Sequence, residues 1–325
     1  MVNFGYTLMC EQAGPKALVR NARRAEQSGF DFEVISDHYN PWLTSQGHAP
    51  NAWSVLGAVT QVTERVPLMT YVTCPTVRYH PAVIAQNAAT TGLLSDGRFW
   101  LGLGAGENLN EHVVGRGWPP ANVRHEMLSE AVDIIAALFT GEYVNYAGEH
   151  FRVDSAKLWD VPDSPPPIGI AVSGGQSTAL AAENADFLIA VEPVGDLIDQ
   201  FDRESGKADA PKVGQLPISF DPDRGAAIAR AHDQFRWFGN GWKVNAELPG
   251  PAGFAGASQF VREEDVAESI PCGSDPTAVA DAAQPYFDAG FTHLAFVQIG
   301  GEQQDSFLDW SEKELLPTLR DRFGK

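Results

Sequence analysis

Eight short, continuously apolar runs recur along this chain, and each is followed by a segment with helical spacing. The runs cover residues 3–9, 30–36, 67–73, 98–104, 167–173, 187–192, 212–220 and 291–299. The helical segments lie at 15–29, near 52–64, and at 81–95, 124–141, 178–185, near 195–206, and at 223–238, 276–290 and 307–323. The first of these opens on Pro15 and closes on Gly29, a pairing that favours a helix between them. Runs that are apolar throughout, rather than alternating, belong to parallel strands covered on both faces. Eight strand–helix units argue for a closed (β/α)8 TIM barrel over a doubly wound sheet. At 325 residues the chain reads as one barrel domain over 1–325 with two insertions, at about 141–166 and 239–275. The first insertion reads as a hairpin with a Pro-rich exit. The second is Gly/Pro/Ala-rich and longer than an ordinary barrel loop.

Charge narrows the class of function. With 42 acids against 23 bases the formal net charge is −19, so a nucleic-acid partner is not expected. Seven lysines against sixteen arginines suit either a protein of concentrated salt or a GC-rich genome, and both readings stand. No membrane span is expected, because no apolar run reaches 18 residues. No basic-then-apolar leader opens the chain, and a cytoplasmic location is expected. Cys10, Cys74 and Cys272 are too scattered for a disulfide framework or a zinc motif, and no histidine has metal-ligand spacing, so no metal is expected.

In such barrels the chemistry sits at the C-terminal ends of the strands. "SDHYNPW" places Asp37, His38 and Trp42 after the second strand. Thr73, Cys74 and Pro75 follow the third; Ala105, Gly106 and Glu107 follow the fourth. Ser173, Gly174 and Gly175 follow the next, leading into a helix as an anion cradle would, and Glu192 follows the one after. Each has a plainer reading: Asp37 as a turn cap, His38 as a satisfied structural histidine, Trp42 as loop packing, Glu107 as a surface carboxylate, 173–175 as an ordinary turn. The glycines of "GLGAGE" fall at 102, 104 and 106, and Glu107 stands where a dinucleotide fingerprint needs its last glycine.

Taken in order, "SDHYNPW" with "GHAP" (47–50), "TYVTCPTVRYHPAVIAQ" (70–86) and "GLGAGENLNE" (102–111) resemble the F420-dependent glucose-6-phosphate dehydrogenase-like group of the luciferase-like superfamily. The resemblance runs from Phe4 to about Leu319 and is weakest at 190–270. It implies a luciferase-like TIM barrel, a homodimer, and coenzyme F420 at the strand C-termini. It puts His38 and Glu107 on the two proton-transfer positions and Trp42 on an active-site tryptophan. It puts Asp37, Cys74, Asn110, Gly174, Gly175 and Ser177 on coenzyme-contacting positions, and a cis peptide between Tyr71 and Val72. Ala105, Gly106 and Ser173 join that set by their strand-end places.

The implied reaction moves a hydride between a sugar or alcohol and the deazaflavin, and a base is needed for the hydroxyl proton. An ordinary imidazole, near 6.5, suits that task, and His38 and Glu107 are expected on opposite sides of one reacting ring. The group's phosphate-binding lysines and threonine are not matched: Val191, Glu192 and Val194 stand after the sixth strand, and Glu268 near an expected lysine. Glucose 6-phosphate is therefore expected to be a poor substrate. Arg78, Arg98 or Arg116 are candidates for a basic patch that would offset the charge repelling an anionic coenzyme. The alternatives are an FMN-dependent monooxygenase or reductase of the same superfamily, a methylene-tetrahydromethanopterin reductase, and a barrel that binds a ligand without turnover.

Overall fold

A computed structural model describes residues 2–324. Strands β1 (Asn3–Leu8), β2 (Phe32–Ile35), β3 (Leu68–Thr70), β4 (Phe99–Leu103), a hairpin of β5 (Val144–Ala147) and β6 (Arg152–Ala156), then β7 (Ile168–Ala171), β8 (Phe187–Ile189), β9 (Lys212–Ile218) and β10 (His293–Gln298) follow in chain order. All but the hairpin form one closed parallel barrel in the order β1-β10-β9-β8-β7-β4-β3-β2. The register runs from Gly5 opposite Phe32 to Asn3 opposite His293, where the ring closes. Each barrel strand lies inside one of the eight apolar runs, so the expected (β/α)8 barrel is the observed one.

The barrel interior is filled by Phe32, Val34, Met69, Phe187, Ile189, Val213 and Ala295. Space for the two rings is made by missing side chains: a Cβ on Gly5 would stand 2.4 Å from the Phe32 ring, and one on Gly169 2.0 Å from Phe187. Residues of the opposite parity, such as Phe4, Tyr6 and Leu8, pack outward beneath the helices. The first helix, Pro15–Ser28, ends as its sequence indicates, on Gly29 in the left-handed region with φ 94°. The second, Ala52–Val59, is shorter than its expected 52–64 span. Thr60 and Thr63 turn their hydroxyls back onto the carbonyls of Gly57 and Val59, where they close off the helix.

Both insertions take on structure. Within 141–166 the strands β5 and β6 pair antiparallel, as expected of a hairpin. The later one is less loop-like than its composition suggests. It folds into short helices at Trp242–Asn245, Pro251–Ala257 and Glu263–Ser269, held down by the fully buried Phe254 and by Val266.

One buried group works against the fold. Glu33 on β2 alternates with Phe32 and Val34 and so points to the helix layer, where it is 1% exposed and neither carboxylate oxygen has a partner. Burial, helped by Glu26 and opposed by Arg98, holds its pKa well above the ordinary value. The folded chain thus keeps a proton that the unfolded chain releases above about pH 4.5, and stability from this group is lost as pH rises beyond that point. Thermal unfolding of Glu33→Gln compared at pH 5 and pH 8 should show a smaller loss at pH 8 than the unsubstituted protein; an equal loss would remove Glu33 from the account.

Candidate active site

The strands end in a ring of polar groups. Beyond β1, Glu11 sits in the short turn Cys10–Gln12; beyond β2 come Asp37 and His38; beyond β3, Tyr71 to Arg78; beyond β4, Glu107, Asn110 and Glu111. Two clusters result.

The first is centred on His38. Its Nδ1 lies 2.7 Å from Glu11 Oε1, off the axis of an ideal hydrogen bond, and its Nε2 lies 3.3 Å from Glu107 Oε1. The Ser36 hydroxyl donates to the other Glu11 oxygen at 2.6 Å, and the side-chain amide of Asn110 donates to Glu107. Asn110 Oδ1 in turn accepts the backbone N–H groups of Tyr39 and Asn40, at 2.7 and 3.0 Å, tying the β2 loop to the β4 loop. Burial opposes a charged imidazole here, but the carboxylates of Glu11 and Glu107 outweigh it and raise His38 to about 9. Burial also disfavours a charged Glu11, yet His38 and Ser36 bring its pKa below the ordinary value. This corrects the expectation of an untuned imidazole near 6.5. It also corrects the expected layout: His38 and Glu107 are adjacent, and no ring fits between them.

The second cluster is centred on Arg78. Its guanidinium donates to the Asp37 carbonyl at 2.7 Å and stands 3.2 Å from Asp37 Oδ1 and 3.4 Å from Glu111 Oε1. Glu111 also accepts the Arg78 N–H at 2.6 Å, and Thr73 Oγ1 donates to Asp37 at 2.8 Å. Burial pushes Glu111 up to about 7 against the pull of Arg78. Burial, with Glu107 and Glu111 close by, keeps the Cys74 thiol protonated. Arg78 is therefore consumed by its own carboxylates and is no free cation. Arg98 bonds to the carbonyls of Thr63 and Val66 at the start of β4, on the opposite rim, so neither supplies the expected basic patch. Arg116 is exposed.

Around these clusters lie the remaining candidates. The peptide between Tyr71 and Val72 is cis, where the sequence resemblance puts it. The Val72 side chain covers Gly104, whose added Cβ would stand 2.7 Å from it, so this glycine serves close packing rather than phosphate binding. Gly106, at φ 88°, turns the chain so that the buried Glu107 follows the half-exposed Ala105. At β7, Gly174 precedes the helix Gly175–Asn184 and has open space where a Cβ would be. The Ser173 and Gly174 N–H groups already donate to Ser177 Oγ, at 3.1 and 3.3 Å, so the cradle is smaller than the sequence suggests. The first-turn amides of the helix still lack intrahelical acceptors and favour an anion. Glu192, Val191 and Val194 are exposed after β8.

Trp42 forms the wall over His38, its ring 4.9 Å from the imidazole. Behind it Trp237 stacks at 4.1 Å and 12°, and Phe254 meets it edge-on at 5.1 Å. The insertion reaches the mouth here, where the carbonyls of Ala246 and Glu247 accept the backbone and side-chain N–H groups of Asn108. Glu268 is exposed on the outer helix Glu263–Ser269 instead, beside a groove of about 470 Å³ that contains none of the residues at the strand ends. Glu268 thus stands away from the strand ends and does not occupy the expected place near a substrate. Sequence reasoning also missed Glu11, Glu111 and Trp237. The strand-end rule applied to the first strand points to Glu11, while nothing local in 223–238 singles out Trp237. Among the described residues there is no cluster that could hold a metal ion, and no helix is long and apolar enough to cross a membrane.

A profile of the family described as luciferase-like monooxygenase matches residues 2–293. The F420-dependent glucose-6-phosphate dehydrogenase of Nakamurella multipartita is 36% identical over 100% of this chain and 98% of its own. A protein of the same name from Kineococcus radiotolerans is 37% identical over 98% of this chain and 97% of its own. Among solved structures, an F420-dependent secondary alcohol dehydrogenase in complex with an F420–acetone adduct has a TM-score of 0.87 at 26% identity, covering 98% of this chain and 99% of that one. The coenzyme F420-dependent tetrahydromethanopterin reductase of Methanopyrus kandleri shares the fold, with a TM-score of 0.75 at 20% identity over 98% of this chain and 99% of that one.

Arg78→Met should strand two buried acids and destabilise the protein by about 3–5 kcal/mol at pH 8. The loss should be smaller at pH 5, where Glu111, at about 7, carries its own proton. Denaturant titrations at the two pH values check this; a cost below about 1 kcal/mol at pH 8, the value of an exposed pair, would show the cluster is not held by Arg78.

Proposed function

The chain belongs to the luciferase-like monooxygenase family, and on that premise we infer that it is an F420-dependent oxidoreductase moving a hydride between the deazaflavin and an alcohol or sugar. The observation that carries this reading is the contact of His38 with Glu107 at the barrel mouth, a proton-handling pair where a hydride-transfer reaction needs one. When bound, F420 supplies the hydride-accepting ring carbon, and the protein supplies placement and proton handling. The residues present suit it. The backbone at Tyr71–Val72, with Cys74, Ala105, Gly106, Asn110 and Asp37, would border the ring system, and the helix start at Ser173–Ser177 would take an anionic group.

His38 would bond the substrate oxygen through Nε2, Glu107 would exchange a proton beside it, and Trp42 would shield both from water. FMN in place of F420 has less behind it, since the curated relatives above are named for F420. The substrate-facing surface favours a neutral compound. It is walled by Trp42, backed by Trp237 and Phe254, and the exposed residues after β8 are Val191, Glu192 and Val194. With F420 added, a small neutral alcohol should bleach the oxidised coenzyme, and glucose 6-phosphate should have at least about tenfold lower kcat/KM, the equivalent of 1.4 kcal/mol. His38→Ala should cut turnover by about 10²–10⁴. Full activity of that variant, or efficient use of glucose 6-phosphate, refutes the corresponding part.

A homodimer and adaptation to concentrated salt complete the reading, the latter resting on the net charge of −19. At about 1 M salt the screening length falls to about 3 Å, so repulsion of an anionic coenzyme fades. The KM for F420 should fall as salt is raised, and light scattering should return twice the chain mass. A KM that rises with salt, or a single-chain mass, removes the respective element.

A further inference from the structure

The imidazole of His38 has a carboxylate oxygen at each nitrogen: Glu11 at 2.7 Å on Nδ1 and Glu107 at 3.3 Å on Nε2. A neutral imidazole has one N–H and one lone pair, so it can satisfy only one of two such acceptors. The carboxylates are themselves accepting elsewhere. Glu11 takes the Ser36 hydroxyl proton, and Ser36 is fixed in that role because its oxygen already accepts the Cys10 N–H. Glu107 takes an N–H of Asn110. The Nδ1 contact lies off the axis of a hydrogen bond, so charge is what joins the three groups: two carboxylates this close to one buried imidazole favour its charged form. Facing it are Glu11 from the β1 turn, Asp37 beside it in the chain, Glu107 from the β4 loop and, opposing its charge, Arg78 from the β3 loop, with Glu111 neutralising Arg78 from behind.

We propose that Glu11 is a positioning residue that keeps His38 doubly protonated, so that the resting enzyme presents a proton donor and carries out carbonyl reduction, not alcohol oxidation, as its unhindered direction near neutral pH. The proposal rests on the oxidoreductase reading above. In the reducing direction a substrate carbonyl oxygen takes the place of Glu107 on Nε2. The carbonyl carbon gains the hydride of the reduced coenzyme, the C=O π pair moves to oxygen, and that oxygen takes the Nε2 proton. The carbonyl compound is reduced to an alcohol and the coenzyme is oxidised. His38 is left neutral with its Nδ1–H on Glu11, and is reprotonated from solvent. Oxidation needs the neutral imidazole first, and so speeds up with pH across the titration of His38, while reduction stays level until that pH and then declines.

The test begins without coenzyme. In protein with ¹⁵N-labelled histidine, with the His38 signal assigned by its loss in His38→Ala, His38 should titrate at about 9. In Glu11→Gln the midpoint should fall by about 1–3 pH units, the usual effect of removing one adjacent opposite charge. Ser36→Ala, which leaves the charge in place, should shift it less. With F420, the rising limb of alcohol oxidation should move down in Glu11→Gln by the same interval. A purely structural role for Glu11 would lower rates at every pH and leave the limb where it was. A His38 that is neutral at pH 7 in the unsubstituted protein, or one whose midpoint is the same in Glu11→Gln, overturns the proposal even if no variant folds well. Failure of the oxidoreductase reading looks different: the titrations would behave as stated while no alcohol or carbonyl compound turned over with F420.

Discussion

Charge buried without water has to be answered by other charge, and the mouth of this barrel is arranged around that requirement. Four carboxylates (Glu11, Asp37, Glu107 and Glu111) are almost fully buried there with two cations, His38 and Arg78, between them. An isolated ion in such a place would lose several kcal/mol of hydration, so each group persists only because its partners are held at contact distance. The backbone is bent to the same end. Asn110 fastens the β2 loop to Glu107, Gly106 adopts a left-handed conformation before it, and Thr73 steadies Asp37. Burial pushes Glu111 up to about 7, while the carboxylates of Glu11 and Glu107 overcome burial and raise His38 to about 9.

The barrel was legible because its strands are covered on both faces and cannot hide their apolar runs; all eight are where the pattern puts them. Strand ends were legible for the same reason, since the first polar residue after such a run has to emerge at the rim, as Asp37 and Glu107 do. Other properties are long-range and leave no local trace. The charge of His38 depends on Glu11 and Glu107, which reach it from the ends of β1 and β4, and no feature of "SDHYNPW" encodes their distance. Trp237 matters only because the insertion folds back on Trp42. Arg98 looked available for an anion until its carbonyl partners at the far rim were seen. Gly102 and Gly104, which resemble part of a phosphate loop, turn out to be places where a Cβ would meet the Thr70 carbonyl and the Val72 side chain.

The fold by itself says little about chemistry, because one barrel scaffold can host many unrelated reactions. What separates the possibilities is the content of the mouth. It offers acid–base groups in direct contact, a buried thiol that stays protonated, and an aromatic cover. The contacting imidazole and carboxylate suit a reaction coupled to proton movement.

The two halves of the mouth come from different stretches of chain. Every ionisable partner lies between Glu11 and Glu111, at the ends of the first four strands, whereas the indole and phenyl rings behind Trp42 come from the segment after β9. Substitutions in the later segment can therefore reshape the cover over Trp42 while the ionisable groups keep their contacts with one another. A lineage built this way can vary its cover and still inherit the charged half of its mouth intact.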